Sequence, residues 1–218
     1  MSLLLPYTTA LILGSLHALE ADHMAAVTAF AVRKPAPLAA AVFGLRWAAG
    51  HGAAVIAAGA LLLFVGLSLP ESASLWLDRS VGLVLIGLGL WTAWHASHLH
   101  VHRHHHSGGV DHAHLHSHAF REAHDHAHAA TVIGTMHGLA GAAPALALLQ
   151  IARTDSLLQG MAYLGTFALG TALGMGLYAL ATGWLMGRAA VRSERWARWL
   201  GKVTGISTIL IGIIWLLR

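Results

Sequence analysis

Six apolar stretches restrict what this chain can fold into. They run at about residues 2–28, 38–69, 80–94, 129–151, 157–186 and 196–217, and a helix needs about 20 apolar residues to cross a bilayer core. The third reaches that length only by extending to about Leu99. The second and fifth exceed it, so they are expected to tilt or to project from the bilayer. Charged residues make up 10% of the chain and the mean hydropathy is +0.64, where soluble domains carry roughly 25% charge. The expected fold is an all-α polytopic membrane protein of six transmembrane helices.

Basic residues set its orientation. Arg33 and Lys34 follow the first stretch, Arg103 and Arg121 lie in the long central loop, and Arg188, Arg192, Arg195, Arg198 and Lys202 surround the fifth connection. The opposite side has Arg79, Arg153 and Arg218. The positive-inside rule puts the first, third and fifth loops in the cytoplasm and both termini outside. We expect an integral protein of the plasma (inner) membrane, and no cleaved signal peptide, because "MSLLLPYTT" has no basic leader. The formal charge of +4 is dispersed over loops, so no nucleic-acid partner is expected. There is no cysteine, and any metal must be held by nitrogen and oxygen.

The two halves resemble each other. "GSLHAL" (Gly14 to Leu19) matches "GTMHGL" (Gly134 to Leu139), which aligns His17 with His137 at an offset of 120. Gly50 and Gly170 share that offset, while Gly82 and Gly89 match Gly205 and Gly212 at 123. Three spans per half is an odd number, so the halves insert in opposite senses, as two inverted three-helix repeats. Residues 1–98 form the first repeat, with the metal motif. Residues 99–128 form a His-rich cytoplasmic loop and 129–218 the second repeat.

In "SLHALEADHMAAV" (Ser15 to Val27), His17, Glu20, Asp22 and His23 fall within seven residues of an apolar segment. One charge at a helix centre costs about 2.5 to 3.5 kcal/mol, and a divalent cation turns such groups from a liability into ligands. On a regular helix His17 and Glu20 share a face, but Asp22 lies about 140 degrees and His23 about 240 degrees from His17. Either the helix is distorted or these residues face partners elsewhere.

His51, in "AAGHGAAV", and His137, in "TMHGLAG", sit beside glycines that let a neighbouring helix come close. Each also fits a purely structural hydrogen-bonding role. Glu20 fits a ligand, a proton acceptor or a structural acid. Arg46 either pairs with Glu20 or Asp22 or snorkels to the interface.

Fourteen of the eighteen histidines lie between His95 and His128. Imidazole suits nickel, cobalt, zinc and copper, so weak multivalent metal capture is expected of this tract, with metal lost as falling pH protonates the rings. The competing reading is a solvated linker.

"HALEADH" has the His-x4-Asp-His pattern and resembles the nickel/cobalt transporter family, where this motif lies in a transmembrane helix and is needed for metal recognition. The "GHG" at His51 is similar to a Gly-His pair in the family's next helix, and "HGLAG" (His137 to Gly141) to shorter relatives. This chain has Glu20 where the common form has Asp, and six spans where that form has eight. The loss of one leading span puts the motif in the first helix and the N-terminus outside.

The leading expectation is a permease, not an enzyme. It would carry Ni2+ or Co2+, inward, through a site of His17, Asp22, His23 and His51 assisted by Glu20 and His137. No tightly bound cofactor is expected. The partners are the ion, the lipid bilayer and a candidate cytosolic metal acceptor, with the oligomeric state open. No nucleotide-binding motif is present, so coupling falls to the membrane potential, a proton or a partner. The alternatives are efflux of the same ions, a metal-dependent intramembrane enzyme, and a metal sensor or storage scaffold.

Overall fold

The first apolar stretch folds as two helices, not one. A computed structural model describes residues 4–33, 35–65, 71–104, 112–117, 127–140 and 156–217. Within them α1 (Leu5–His17) has Pro6 in its first turn, which its fixed φ suits. It tightens at its end, where Leu19 N–H donates to Leu16 O at 2.9 Å and Glu20 N–H to His17 O at 3.0 Å. These i to i+3 bonds end the helix, and α2 (Ala21–Arg33) starts afresh. Asp22 helps to start it: its Oδ1 accepts from the backbone N–H of His23 at 2.9 Å, one of the donors that a helix start leaves unpaired.

The remaining helices are α3 (Pro37–Val65), α4 (Glu71–Ser97), α5 (Ala127–Ala140), α6 (Leu157–Arg192) and α7 (Glu194–Leu217). The described residues thus hold seven helices, and the expectation of six single helices is corrected at the 18–20 break. Residues 141–151, the rest of the expected fourth span, lie outside the described residues. The third span starts nine residues before its apolar stretch, at Glu71, because hydropathy marks the part in lipid and not the end of the helix. The 36 residues of α6 reach about 54 Å, well beyond a core of about 30 Å. Ser156 caps it, accepting from Gln159 N–H at 3.3 Å.

Among the described residues four helices have segments long and apolar enough to cross a membrane: Pro37–Leu61, Asp78–Ser97, Leu157–Ala189 and Arg195–Leu217. Polarity is distributed inside out. Leu158 is 80% exposed and Leu38 73%, whereas Asp22, His23, His51 and His137 are at most 3% exposed. Buried hydroxyls are satisfied locally, with Thr92, Thr171, Thr182 and Thr208 each donating to the carbonyl four residues before it. Lipid-facing leucines around a polar centre make this an integral membrane protein.

Packing gives the helices their directions. A Cβ on Gly44 would meet Ala179, on Gly52 Ala168 and on Gly183 Ala40, so α3 and α6 run antiparallel. Leu11 lies at Gly170 and Ser15 at Gly174, making α1 parallel to α6. Trp47 lies at Gly134 and His51 at Gly138, making α5 parallel to α3. Hence α1 and α5 run in opposite senses. Gly201 approaches both Ala96 and Val32, while Gly187 approaches Pro35. The first, third and fifth connections, which carry most of the basic residues, therefore share one end of the bundle.

Close contacts recur at the sequence offsets. A Cβ on Gly14 would overlap the carbonyl of Phe167, and one on Gly134 that of Trp47; Gly170 meets Leu11 O and Gly50 meets Thr131 O. Exchanging each residue for the one 120 positions away turns the first contact of each pair into the second. On α4 and α7, Gly82 packs on Gly212 and Gly89 on Gly205, a pair of contacts that the offset of 123 interchanges.

The His-rich loop contains a two-stranded ribbon, β1 (Leu99–His104) and β2 (His112–Ser117), antiparallel with His100 opposite His116, His102 opposite His114 and His104 opposite His112. The loop residues 105–111 and 118–126 lie outside the described residues.

Candidate metal site

The break at 18–20 decides which way the motif points. His17 is the last residue of α1 and His23 lies in the first turn of α2, and the break between them brings their ring centroids to 4.7 Å. His51 joins from α3, its ring 5.3 Å from that of His17 and 5.2 Å from that of His23. His137 joins from α5, at 4.4 Å from His23. Both of the alternatives that the helical geometry left open are realised: the helix is broken, and its residues also face other helices.

Hydrogen bonds order the cluster. The Nδ1 of His17 bonds Glu20 Oε1 at 2.9 Å, and its Nε2 lies 3.3 Å from His51 Nε2. The Nδ1 of His23 bonds Asp22 Oδ1 at 3.1 Å, and His137 Nε2 bonds Asp22 Oδ2 at 3.0 Å. Glu20 is 52% exposed, while the other five are buried. Two buried ring nitrogens, His23 Nε2 and His51 Nδ1, have no hydrogen-bond partner among the described residues. Buried polar atoms without partners are rare and call for a ligand or a cost.

Ligand atoms gather in two overlapping sets, His17, His23 and His51, and Asp22, His23 and His137, each within 4.8 Å. All six residues expected from the sequence meet in one place. That place is deep: His51 is ten residues from one end of its apolar segment and fourteen from the other, or about 15 and 21 Å along the axis. The glycines beside the histidines allow the approach, since a Cβ on Gly138 would come within 2.5 Å of His51 O.

Arg46 is not part of the site. It is exposed, and both acids take histidine partners. Two aromatics escaped the reading of the motif. Phe167 lies 5.5 Å from the His17 ring and Trp47 lies 5.7 Å from that of His137. Both are buried, and Trp47 Nε1 has no hydrogen-bond partner among the described residues. These two stand 120 residues apart, so the repeat offset was the signal that could have found them.

Residues 9–214 match the family described as "Cytochrome C biogenesis protein transmembrane region". The chain belongs to this family. As a cysteine-free member it has no thiol, and so no thiol–disulfide exchange of its own. It is 26% identical over 168 residues to the urease accessory protein UreH of Bacillus sp. (strain TB-90), covering 77% of this chain and 72% of that protein. Over 212 residues it is 28% identical to a Methanocaldococcus jannaschii protein named "Putative nickel/cobalt efflux system MJ1092", covering 94% and 89% of the two chains. The resemblance to nickel/cobalt transport proteins drawn from the residues His17 to His23 thus extends to a whole-chain relative. No solved structure matches the chain.

Proposed function

We infer that this protein carries a divalent transition-metal ion, Ni2+ or Co2+, across the membrane. The observation that carries this reading is the convergence of His17, Asp22, His23, His51 and His137, all buried, from four helices at mid-depth. A hydrated ion loses water on entering lipid, and only a preformed set of protein donors replaces it. Borderline nitrogen donors favour nickel, cobalt, zinc and copper over calcium and magnesium. The name of one relative narrows that group to nickel and cobalt.

The opposed directions of α1 and α5, and the contacts interchanged by the offsets of 120 and 123, support six spans arranged as two inverted three-helix repeats. In such a plan the repeat-related elements, α1/α2 and α5, rock against α3 and α6 to open the site to each side in turn. Loops one, three and five would be cytoplasmic, with the His-rich loop facing a cytosolic metal acceptor.

Inward transport rests on the resemblance of "HALEADH" to nickel/cobalt permeases. Outward transport is a second reading, favoured by the name of the relative that spans 94% of this chain and by a loop suited to collecting cytosolic metal. Proteoliposomes with a metal-sensitive dye on one side, driven by a defined ion gradient and membrane potential, test both. Flux that is lost in His51→Ala supports the site. Flux unchanged in His17→Ala, His23→Ala and His51→Ala sinks it.

A further inference from the structure

The hydrogen bonds around the two acids determine which atoms of the cluster are left for an ion. An ionised carboxylate only accepts, so the ring nitrogen facing it carries the proton. Glu20 Oε1 therefore fixes His17 with its hydrogen on Nδ1, and Asp22 Oδ1 does the same for His23. A neutral imidazole has one such hydrogen, which leaves Nε2 of each ring as a lone pair. His17 Nε2 meets His51 Nε2 at 3.3 Å, and His23 Nε2 is buried without a partner among the described residues. Two metal–nitrogen bonds of about 2.1 Å at a tetrahedral angle hold their nitrogens about 3.4 Å apart, close to the His17–His51 separation.

Asp22, by contrast, is already occupied. Its Oδ1 takes the backbone N–H and the ring of His23, and its Oδ2 takes His137. A carboxylate bonded in this way is the outer partner of a ligand more than a ligand itself, the arrangement in which acids orient metal-binding histidines.

Building on the transport reading above, we propose that Glu20 and Asp22 are positioning residues: they fix the ring tautomers of His17 and His23 so that three imidazoles, from His17, His23 and His51, hold the ion with no carboxylate oxygen. His137 then acts through Asp22, linking α5 to the site without touching the ion. The site is a neutral nitrogen cradle, and the charge that balances the cation sits one bond further out.

The test uses the full chain in detergent, with the histidines between 99 and 126 replaced by serine so that loop imidazoles do not contribute. Calorimetry with Co2+ alone gives the affinity, and X-ray absorption at the cobalt edge gives the ligand shell. Three imidazoles and no protein carboxylate are expected. Glu20→Gln and Asp22→Asn keep an acceptor oxygen and should retain that shell with affinity within about tenfold. Glu20→Ala and Asp22→Ala should lose about 10- to 100-fold, and His51→Ala should remove one imidazole. A carboxylate in the wild-type shell that vanishes in Asp22→Asn or Glu20→Gln overturns the proposal while leaving the transport reading intact, as does an amide variant that binds no better than its alanine counterpart. A parent chain that binds no Co2+ overturns both.

Discussion

Asp22 and His137 are 115 residues apart in sequence and 3.0 Å apart in space, Oδ2 to Nε2, both almost wholly buried. This bond joins α2 to α5, and so ties the His-Asp-His motif to the element that mirrors α1. Removing the carboxylate leaves the rings of His23 and His137 and a backbone N–H without their acceptor. Asp22→Ala should lower stability by about 3 kcal/mol and abolish transport, whereas Asp22→Asn should recover more than half of the stability. Thermal unfolding in detergent and dye-based flux check this together.

Glycine contacts hold the bundle together at named points. Gly14→Ala and Gly134→Ala would drive a methyl into the carbonyls of Phe167 and Trp47, and each should cost about 1–3 kcal/mol. Gly87→Ala and Gly165→Ala have open space around the new carbon and should be neutral or stabilising by up to about 1 kcal/mol, because alanine favours helix. Melting temperatures of the four variants in one detergent provide the comparison. Equal losses in both pairs would count against the packing.

The loop and the intramembrane cluster should separate functionally. With the histidines between 99 and 126 replaced by serine, equilibrium dialysis should show the bound nickel falling to a single high-affinity equivalent. Flux at saturating ion should stay within about twofold of the parent, since no ligand of the buried site is changed. Loss of all flux would instead make the loop part of the pathway.

Arg46 is exposed on α3, away from both acids. Arg46→Gln should therefore leave ion affinity unchanged within about twofold and alter stability by no more than about 0.5 kcal/mol. Calorimetry and a melting curve on the same preparation test it. A tenfold loss of affinity would mean that its charge reaches the site.

Thr28 and Tyr178 share a hydrogen bond of 2.7 Å between α2 and α6. Interhelical bonds of this kind in membranes are worth about 0.6 kcal/mol, so Tyr178→Phe should produce a small shift in melting temperature and leave transport unchanged.

The membrane class, the polar residues that gather inside the bundle and the offset between the halves all follow from the sequence alone. Each is local or periodic: apolar length, the cost of charge in lipid, and a recurring Gly-hydroxyl-apolar-His pattern can be read without knowing where the chain goes. Only the tertiary structure decided the rest. A regular helix would have sent His17, Asp22 and His23 in three directions, and it took the break at Ala18 to Glu20 to turn them toward one another. Nothing local says that Asp22 meets His137 and not Arg46, or that Trp47 and Phe167 pack beside the histidines. Those pairings depend on how closely helices distant in sequence approach, which the glycines permit and the packed bundle specifies.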